Sequence, residues 1–515
     1  MFLKRFYDDG LAQASWMIGC AVTGEALVVD PNRDVEQYLA AAAAEKLRIT
    51  HVTETHIHAD FVSGARELVR ATAETAGNAS GVGTAAGKKQ ASSAKLYLSA
   101  EGGADWQYAF AKSDGVTLLH DGDVIQVGNI RVQAMHTPGH TPEHLSFLVT
   151  DGAVANTPMG IITGDFVFVG DVGRPDLLEK AAKVANTMEA GARTLFKSLE
   201  RFRALDDWVQ VWPGHGAGSA CGKSLGAVPT STVGYEKRFN WGVGTTDEAT
   251  FVSMVLAGQP EPPAYFAEMK RINRDGPRVL GGFPKPKRAD LASFERALEG
   301  VGVGSPTAGA SARGPNNKAS VTIVDTRTAD EFAKGHVPGT INIPVNKSLS
   351  TWAGWLVPYD VDIQLIADDE KSIERAVREL TMIGLDRVTA WYPGAIVNEW
   401  AASAKGRTLG TIAKTDSAAL APRVAAGEVT VLDVRNRSEF EAGHLPGALH
   451  IPVGYLEERL AEIPRDKPIV LHCQGGGRSA IAASVLQKLG VENATDLRGG
   501  YGAWEKAGHP TKREK

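Results

Sequence analysis

Short apolar runs that stop abruptly at polar or glycine-rich segments set the rhythm of this chain. Val321-Thr-Ile-Val-Asp325 and Val429-Thr-Val-Leu-Asp433 both run into Asp-x-Arg. That pattern suits a buried parallel strand delivering a loop at its carboxyl end. The two runs open an internal repeat. Asp325–Val345 reads DTRTADEFAKGHVPGTINIPV and Asp433–Val453 reads DVRNRSEFEAGHLPGALHIPV, with eleven of twenty-one positions identical. A spacing of 108 residues is too long for a solenoid unit, so the pattern predicts two tandem α/β domains. Helix-like segments at Asp290–Leu298 and Ser417–Ala425 precede the two strands, which puts the start of the first copy near Pro284–Lys287. The expected domains are therefore 1–284, 285–412 and 413–515, the first large enough for a core of its own. Ala73–Ala94 and Val301–Lys318 are rich in Gly, Ala and Ser and poor in aliphatic bulk, and both read as flexible surface insertions.

Composition narrows the function classes. At 515 residues the chain is too long for one hydrophobic core. Its net charge of -5 argues against a nucleic-acid footprint, which needs clustered positive charge. No apolar run approaches the ~18 residues of a membrane span. Asp8 and Asp9 interrupt the N-terminus before a signal-peptide core can develop. Three cysteines, Cys20, Cys221 and Cys473, cannot form a full disulfide set and point to a reducing, cytoplasmic setting.

Candidate chemistry clusters in two places. Val52–Phe61 reads VTETHIHADF, which sets His56, His58 and Asp60 at a strand end, close enough for two imidazoles and a carboxylate to converge on a cation. His140 in HTPGHTPEH, Asp165 in IITGDF and His215 in WPGHG each follow a strand-like run and are bracketed by Gly or Pro. All would lie on loops at one sheet edge. This order resembles the metallo-β-lactamase superfamily, whose signature is His-x-His-x-Asp-His followed by a His, an Asp and a final His. The likeness includes Asp30-Pro31 after Ala26-Leu-Val-Val. It implies an αββα sandwich over residues 1 to about 280. One departure is informative: Phe61 stands where the motif's last His would be, and an aromatic ring cannot hold the second ion of two-metal members. The expected centre is one Fe(II) per chain, held by His56, His140 and Asp165 as a 2-His-1-carboxylate triad with open positions for dioxygen chemistry. His58, Asp60 and His215 would orient ligands or bound water. Within the superfamily this arrangement resembles persulfide dioxygenases. That likeness implies that Arg174 and Asp176, in Gly173-Arg-Pro-Asp176, contact the carboxylate and amine of a thiol carrier such as glutathione. An intradomain ion pair is the plainer alternative. Cys221, in the Gly-rich segment after His215, would line the mouth of the site.

The second cluster is Ile469–Ser479, IVLHCQGGGRS, ahead of an Ala-rich helical stretch. Successive glycines let backbone N–H groups point inward, and a helix N-terminus favours negative charge there. Both effects should lower the Cys473 pKa and expose it as thiolate. The segment resembles the rhodanese active loop, with Asp433-x-Arg435, Gly443-His444-x-Pro446-Gly447 and Arg498-Gly-Gly-Tyr501 beside it. The resemblance implies a persulfide-forming Cys473 with Arg478 as catalytic partner, and Gln474, Gly475, Gly476, Gly477 and Ser479 as the substrate cradle. The loop is shorter than that of related Cys-dependent phosphatases, which favours sulfane sulfur over phosphate. At the matching place the middle copy has Ala367-Asp-Asp-Glu-Lys-Ser372, acidic and without a nucleophile, and is expected to be inactive.

Together these resemblances imply a persulfide dioxygenase that oxidises a thiol persulfide (glutathione or similar) with dioxygen to sulfite. A C-terminal sulfurtransferase would exchange sulfur among persulfide, sulfite and thiosulfate. The family usually forms homo-oligomers, and neither nucleic acid nor membrane is expected as a partner. The main rival is a glyoxalase II-like thioester hydrolase using metal-activated water. Another treats the rhodanese pair as a sulfur-carrier or docking module.

Overall fold

Alternation along the first strands sorts their side chains onto two different cores. On Gln13–Cys20, buried at every position, Met17 faces one hydrophobic cluster while Trp16, Ile18 and Cys20 face another. Glu25–Val29 divides in the same way, with Ala26 and Val28 on one side and Leu27 and Val29 on the other. Such a strand belongs to a sheet covered on both faces.

The computed structural model describes residues 1–79, 93–180, 187–259, 261–263, 265–301 and 319–514. The chain forms two compact units, Met1–Phe283 with Thr381–Gly384, and Pro284–Leu380 with Leu385–Lys515.

The first unit holds two six-stranded sheets. One runs in the order Phe2–Asp8, Gln13–Cys20, Glu25–Val29, Arg48–Thr53, Lys95–Ser99, Thr117–Leu119; the other Ser231–Thr232, Gln210–Pro213, Gly160–Gly164, Leu145–Asp151, Ile130–His136, Val124–Val127. Between them lies a core that includes Trp16, Leu27, Phe147, Ile162 and Trp212. Outside the first sheet, Tyr38 and Leu68 from helices Glu36–Ala44 and Ala65–Ala79 join Met17 and Val28. Outside the second, Leu195 and Phe202 of helix Met188–Arg203 and Phe251 of Glu248–Leu256 pack on Ile161 and Val211. The result is the αββα sandwich that the sequence implied.

The second unit holds two five-stranded parallel sheets with the same strand order. One is Lys287–Arg288, Val388–Pro393, Asp362–Ala367, Val321–Asp325, Ile341–Asn342; the other is Ala413–Thr415, Ala494–Leu497, Ile469–His472, Thr430–Asp433, Leu449–His450. Helices Leu291–Gly300 and Ser417–Ala425 open the two copies. Asp290 and Asp416 cap them by accepting from the Ser293 and Ala419 amides at 2.9 and 2.8 Å, a contact worth about 1 kcal/mol.

One expectation needs correction. The insertion foreseen over Ala73–Ala94 is shorter at both ends, because helix Ala65–Ala79 continues through its first residues and Ala94 is buried in the core. An alanine-rich composition that looks featureless in sequence is also a strong helix former. Residues 80–92, and 302–318 of the second expected insertion, lie outside the described residues. Among the described residues no helix is long and apolar enough to cross a membrane.

Candidate active sites

Four strand ends build the N-terminal centre. Glu25–Val29 and Arg48–Thr53 run parallel and deliver Asp30 and His56, while Gly160–Gly164 and Gln210–Pro213 run parallel and deliver Asp165 and His215. Gly164, with φ of +48°, makes the turn into Asp165; a Cβ there would lie 2.6 Å from Thr55 Oγ1 and 2.8 Å from His144 Nε2, so only glycine fits.

His56, His140 and Asp165 form one donor group whose ligand atoms lie within 4.8 Å of one another. Nε2 of His56 and of His140 approach Asp165 Oδ2 at 3.8 and 3.5 Å. Hydrogen bonds on the far side of each ring set its tautomer. The Thr55 hydroxyl gives its proton to Asp30 Oδ2 at 2.9 Å, so at 2.9 Å it accepts from His56 Nδ1–H. The Arg174 carbonyl, 3.1 Å away, accepts from His140 Nδ1–H. Both Nε2 lone pairs are thereby aimed at the same point. His56 Nε2 and both Asp165 oxygens are buried without a hydrogen-bond partner among the described residues. Desolvated acceptors held together at that cost are what a cation would repay, so these residues fit a metal ion. Burial first, then the neighbouring imidazoles, hold His56 well below the ordinary histidine range. For Asp165, burial pushes the pKa up, but His215, His140, His58 and His144 outweigh it, and the carboxyl stays ionised.

The residues expected around this triad divide into two groups. His58 turns away: its Nε2 is 3.2 Å from Asp30 Oδ1, and Asp30 in turn holds Thr55 through its amide at 2.6 Å. Burial opposes its charge, but Asp30, then Glu54 and Asp60, raise its pKa to about 9. Asp60 and His215 face the centre, His215 Nε2 lying 3.3 Å from Asp60 Oδ2 and 3.4 Å from Asp165 Oδ1. With Cys221 they form a second donor group, again within 4.8 Å. The sequence argument from Phe61 left no second group there. Phe61 indeed packs its ring on His58 at 4.4 Å, but Cys221 brings a donor from the loop after His215.

Arg174 and Asp176 pair with each other. Arg174 Nε and Nη2 donate to Asp176 Oδ1 and Oδ2 at 2.8 and 2.7 Å, both side chains are fully buried, and Nη1 donates to the Ala220 carbonyl at 3.0 Å. This is the plainer arrangement foreseen for them. It anchors the segment whose carbonyl orients His140.

His144 is a site residue that sequence reasoning passed over. Its Nε2 accepts the Asp165 amide at 3.1 Å, its Nδ1–H donates to Thr137 Oγ1 at 2.9 Å, and its ring stacks on His56 at 5.1 Å. The signal was present in the same HTPGHTPEH segment as His140.

The C-terminal site stands between strand Ile469–His472 and helix Gly477–Lys488. Gly476, at φ of +105°, turns its amide onto Cys473 Sγ at 3.0 Å, and the Ser479 hydroxyl lies 3.6 Å from the same sulfur. Cys473 is only 1% exposed, against the expected exposure, because the loop closes over it. Tyr501 and Gly502 donate backbone N–H to the Cys473 and Gln474 carbonyls at 2.7 and 3.0 Å. A Cβ on Gly500 would come within 2.2 Å of the Cys473 carbonyl oxygen, so this clamp also requires glycine. Arg478 forks onto Glu439 at 2.6 and 2.7 Å. Arg435 forks onto Asp433 and reaches Gln474 Oε1 at 3.2 Å. Glu439 was not singled out from the sequence, although Asn436-x-x-Glu439 has the spacing of a capping box. In the middle copy, strand Asp362–Ala367 runs into Asp368 and Asp369 with no thiol.

Known proteins agree with this division. The profile of the Metallo-beta-lactamase superfamily matches residues 8–215, and that of the Rhodanese-like domain matches 310–400 and 417–507. The crystal structure of a metallo-β-lactamase from Staphylococcus aureus subsp. aureus COL is 40% identical, covers 76% of this chain and 99% of its own, and superposes with a TM-score of 0.61. A β-lactamase hydrolase-like protein of Xylella fastidiosa (strain Temecula1 / ATCC 700964) is 26% identical over 322 residues, 58% of this chain. The match spans 66% of that relative, just under two thirds of its length. A sulfurtransferase of Allochromatium vinosum is 38% identical over 96 residues, 18% of this chain and 90% of that protein.

Proposed function

Because the chain belongs to the metallo-β-lactamase superfamily and carries two rhodanese-like domains, we propose that it is a bifunctional enzyme of sulfur metabolism, an Fe(II) persulfide dioxygenase joined to a sulfurtransferase. The observation that carries this reading is the convergence of two neutral imidazoles and one carboxylate on a single point, a facial 2-His-1-carboxylate set. A metal bound by His56, His140 and Asp165 would supply open coordination positions and one-electron chemistry towards dioxygen. Overall, one thiol persulfide, one dioxygen and one water give one thiol and one sulfite with two protons.

The protein's own residues do the arranging. His144 and Thr137 fix the Asp165 backbone, and the Arg174–Asp176 pair holds the carbonyl that orients His140, acting as positioning residues. At the C-terminal site Cys473 attacks the sulfane sulfur of its donor. A bond forms between Cys473 Sγ and that sulfur as the bond from that sulfur to the leaving thiolate or sulfite breaks. The Gly476 amide and Ser479 hydroxyl steady the charge on the sulfur. Sulfite made at the first site is an acceptor for the second, and its sulfuration yields thiosulfate. A likeness to a sulfurtransferase over 96 residues supports this assignment.

The decisive experiment follows oxygen uptake by the Fe(II)-loaded chain given glutathione persulfide, with sulfite quantified. Asp165→Ala is expected to lower uptake about a thousandfold or more. Uptake that survives the substitution would overturn the reading. The Asp60–His215–Cys221 group favours one rival, a two-metal thioester hydrolase. A ratio of two metals per chain together with hydrolysis of S-lactoylglutathione and no oxygen uptake would establish it instead.

A further inference from the structure

Within the second unit a cleft of about 730 Å³ opens between the two rhodanese-like copies. One wall is the active loop itself, Gly475–Gly477, two residues beyond Cys473. An added Cβ at Gly475 or Gly477 would meet nothing within 4 Å, so packing does not require glycine there, and the loop backbone faces open space. The opposite wall comes from the middle copy, through the helix Ala329–Lys334.

The charges on these walls are unevenly spent. Lys414 pairs with Asp330 across the cleft. Lys334 and Arg498 are exposed and have no ion-pair partner among the described residues. Asp496 is only 3% exposed and lines the same cleft; the Ser479 side chain hydrogen-bonds its carboxylate and Lys414 acts on it, while its Oδ1 has no hydrogen-bond partner among the described residues. A buried carboxylate oxygen left in this state is unfavourable unless a donor reaches it. Two cations outside any ion pair and one carboxylate oxygen without a hydrogen-bond partner, among the described residues, suit a ligand carrying carboxylates and an ammonium group. Inorganic sulfur anions offer no ammonium and are far too small, since cavities of roughly 300–1,000 Å³ hold whole organic ligands.

We propose that this cleft binds the carrier portion of a zwitterionic, peptide-type thiol persulfide, with Lys334 and Arg498 pairing its carboxylates and Asp496 its ammonium group. The middle copy, which has alanine where its neighbour has Cys473, thus supplies part of the specificity for that neighbour. This inference rests on the reading of Cys473 as a sulfur acceptor from a thiol persulfide.

Two measurements on the full chain separate the cleft from that reading. In sulfur transfer at Cys473, Lys334→Glu and Arg498→Glu are each expected to lower kcat/KM for glutathione persulfide about tenfold relative to thiosulfate, and Lys334→Arg to restore most of it. A tenfold change corresponds to about 1.4 kcal/mol, the scale of one charged contact. An equal loss for both donors would mean a general field effect and would overturn the carrier site. If the unaltered protein transfers sulfur from thiosulfate but not from the persulfide, the functional reading fails, and the cleft is judged by binding alone. For that, calorimetric titration with unreactive S-methylglutathione is expected to lose about tenfold in affinity in Lys334→Glu. Unchanged binding overturns the proposal, as does variant-sensitive binding of S-methyl-coenzyme A in its place.

Discussion

The two rhodanese-like copies differ less in architecture than in one loop. Both have the same five-strand order. In both, Asp-x-Arg forms a buried fork, Arg327 on Asp325 and Arg435 on Asp433, and the arginine also donates to a glycine carbonyl, Gly335 or Gly443. Both stack a phenylalanine on the histidine four residues later at 3.9 Å, Phe332 on His336 and Phe440 on His444. The repeat that dominates the sequence is therefore scaffold. The strand next to it carries the difference, leading into Ile366-Ala367-Asp368 in one copy and His472-Cys473-Gln474 in the other. A motif shared between a copy with a cysteine in its loop and a copy without one marks the fold, and the residues that part company mark where the proposed chemistry lies.

The largest effect should come from exchanging the nucleophile. Cys473→Ala is expected to cut sulfur transfer about a thousandfold or more, while a second variant that adds Ala367→Cys to Cys473→Ala restores none, because Asp368 and Asp369 beside residue 367 repel anionic sulfur. Thiosulfate turnover by the second variant would break the comparison. Next come the two forks. Asp325→Asn and Asp433→Asn should each cost roughly 3–5 kcal/mol, since each leaves a mostly buried arginine unpaired. Denaturant unfolding checks this, and a loss confined to the C-terminal variant would show that the fork serves chemistry after all. The smallest effect depends on pH. His472 lies fully buried beside Asp433, and its counterpart in the middle copy is Ile366. Burial lowers its pKa to about 4 against the pull of Asp433. The unfolded chain takes up a proton below about pH 6.5 while the folded one does not until about pH 4. Stability should therefore fall across that window as pH drops, by up to about 3 kcal/mol. His472→Ile should remove the acid sensitivity, as read from melting temperatures at pH 7 and pH 5. An identical slope in the variant would assign it elsewhere.

Much of this was legible in the sequence because strands and loops obey short-range rules. Apolar runs and glycine punctuation located the strands that carry His56, Asp165 and Cys473. The resemblance of the ligand order to the metallo-β-lactamase signature was what led to the expectation that His56, His140 and Asp165 meet. What stayed hidden depended on side-chain direction. Nothing local to HTPGHTPEH says that His140 faces the centre while His144 bonds the Asp165 amide. Nor does GRPD reveal that Arg174 and Asp176 are satisfied by each other, since pairing with a ligand would need the same residues. Cys221 lies on a segment whose path is set by long-range packing, and Glu439 reaches Arg478 from another helix. Cys473 was expected in the open because the glycines suggested a bare loop, but the backbone of Tyr501 and Gly502 closes it from a distant part of the chain.

Having two sheets of identical strand order in tandem also affects how the chain matures. Segments as similar as Asp325–Val345 and Asp433–Val453 could each compete for the partner strand of the other, the misassembly to which repeated neighbours are prone. The amino-terminal copy leaves the ribosome first, so it can close its own sheet before its twin is complete. With alanine at position 367, that earlier copy also brings the half-made protein no loop thiol. In this sense the first copy acts as a folding precedent for the second.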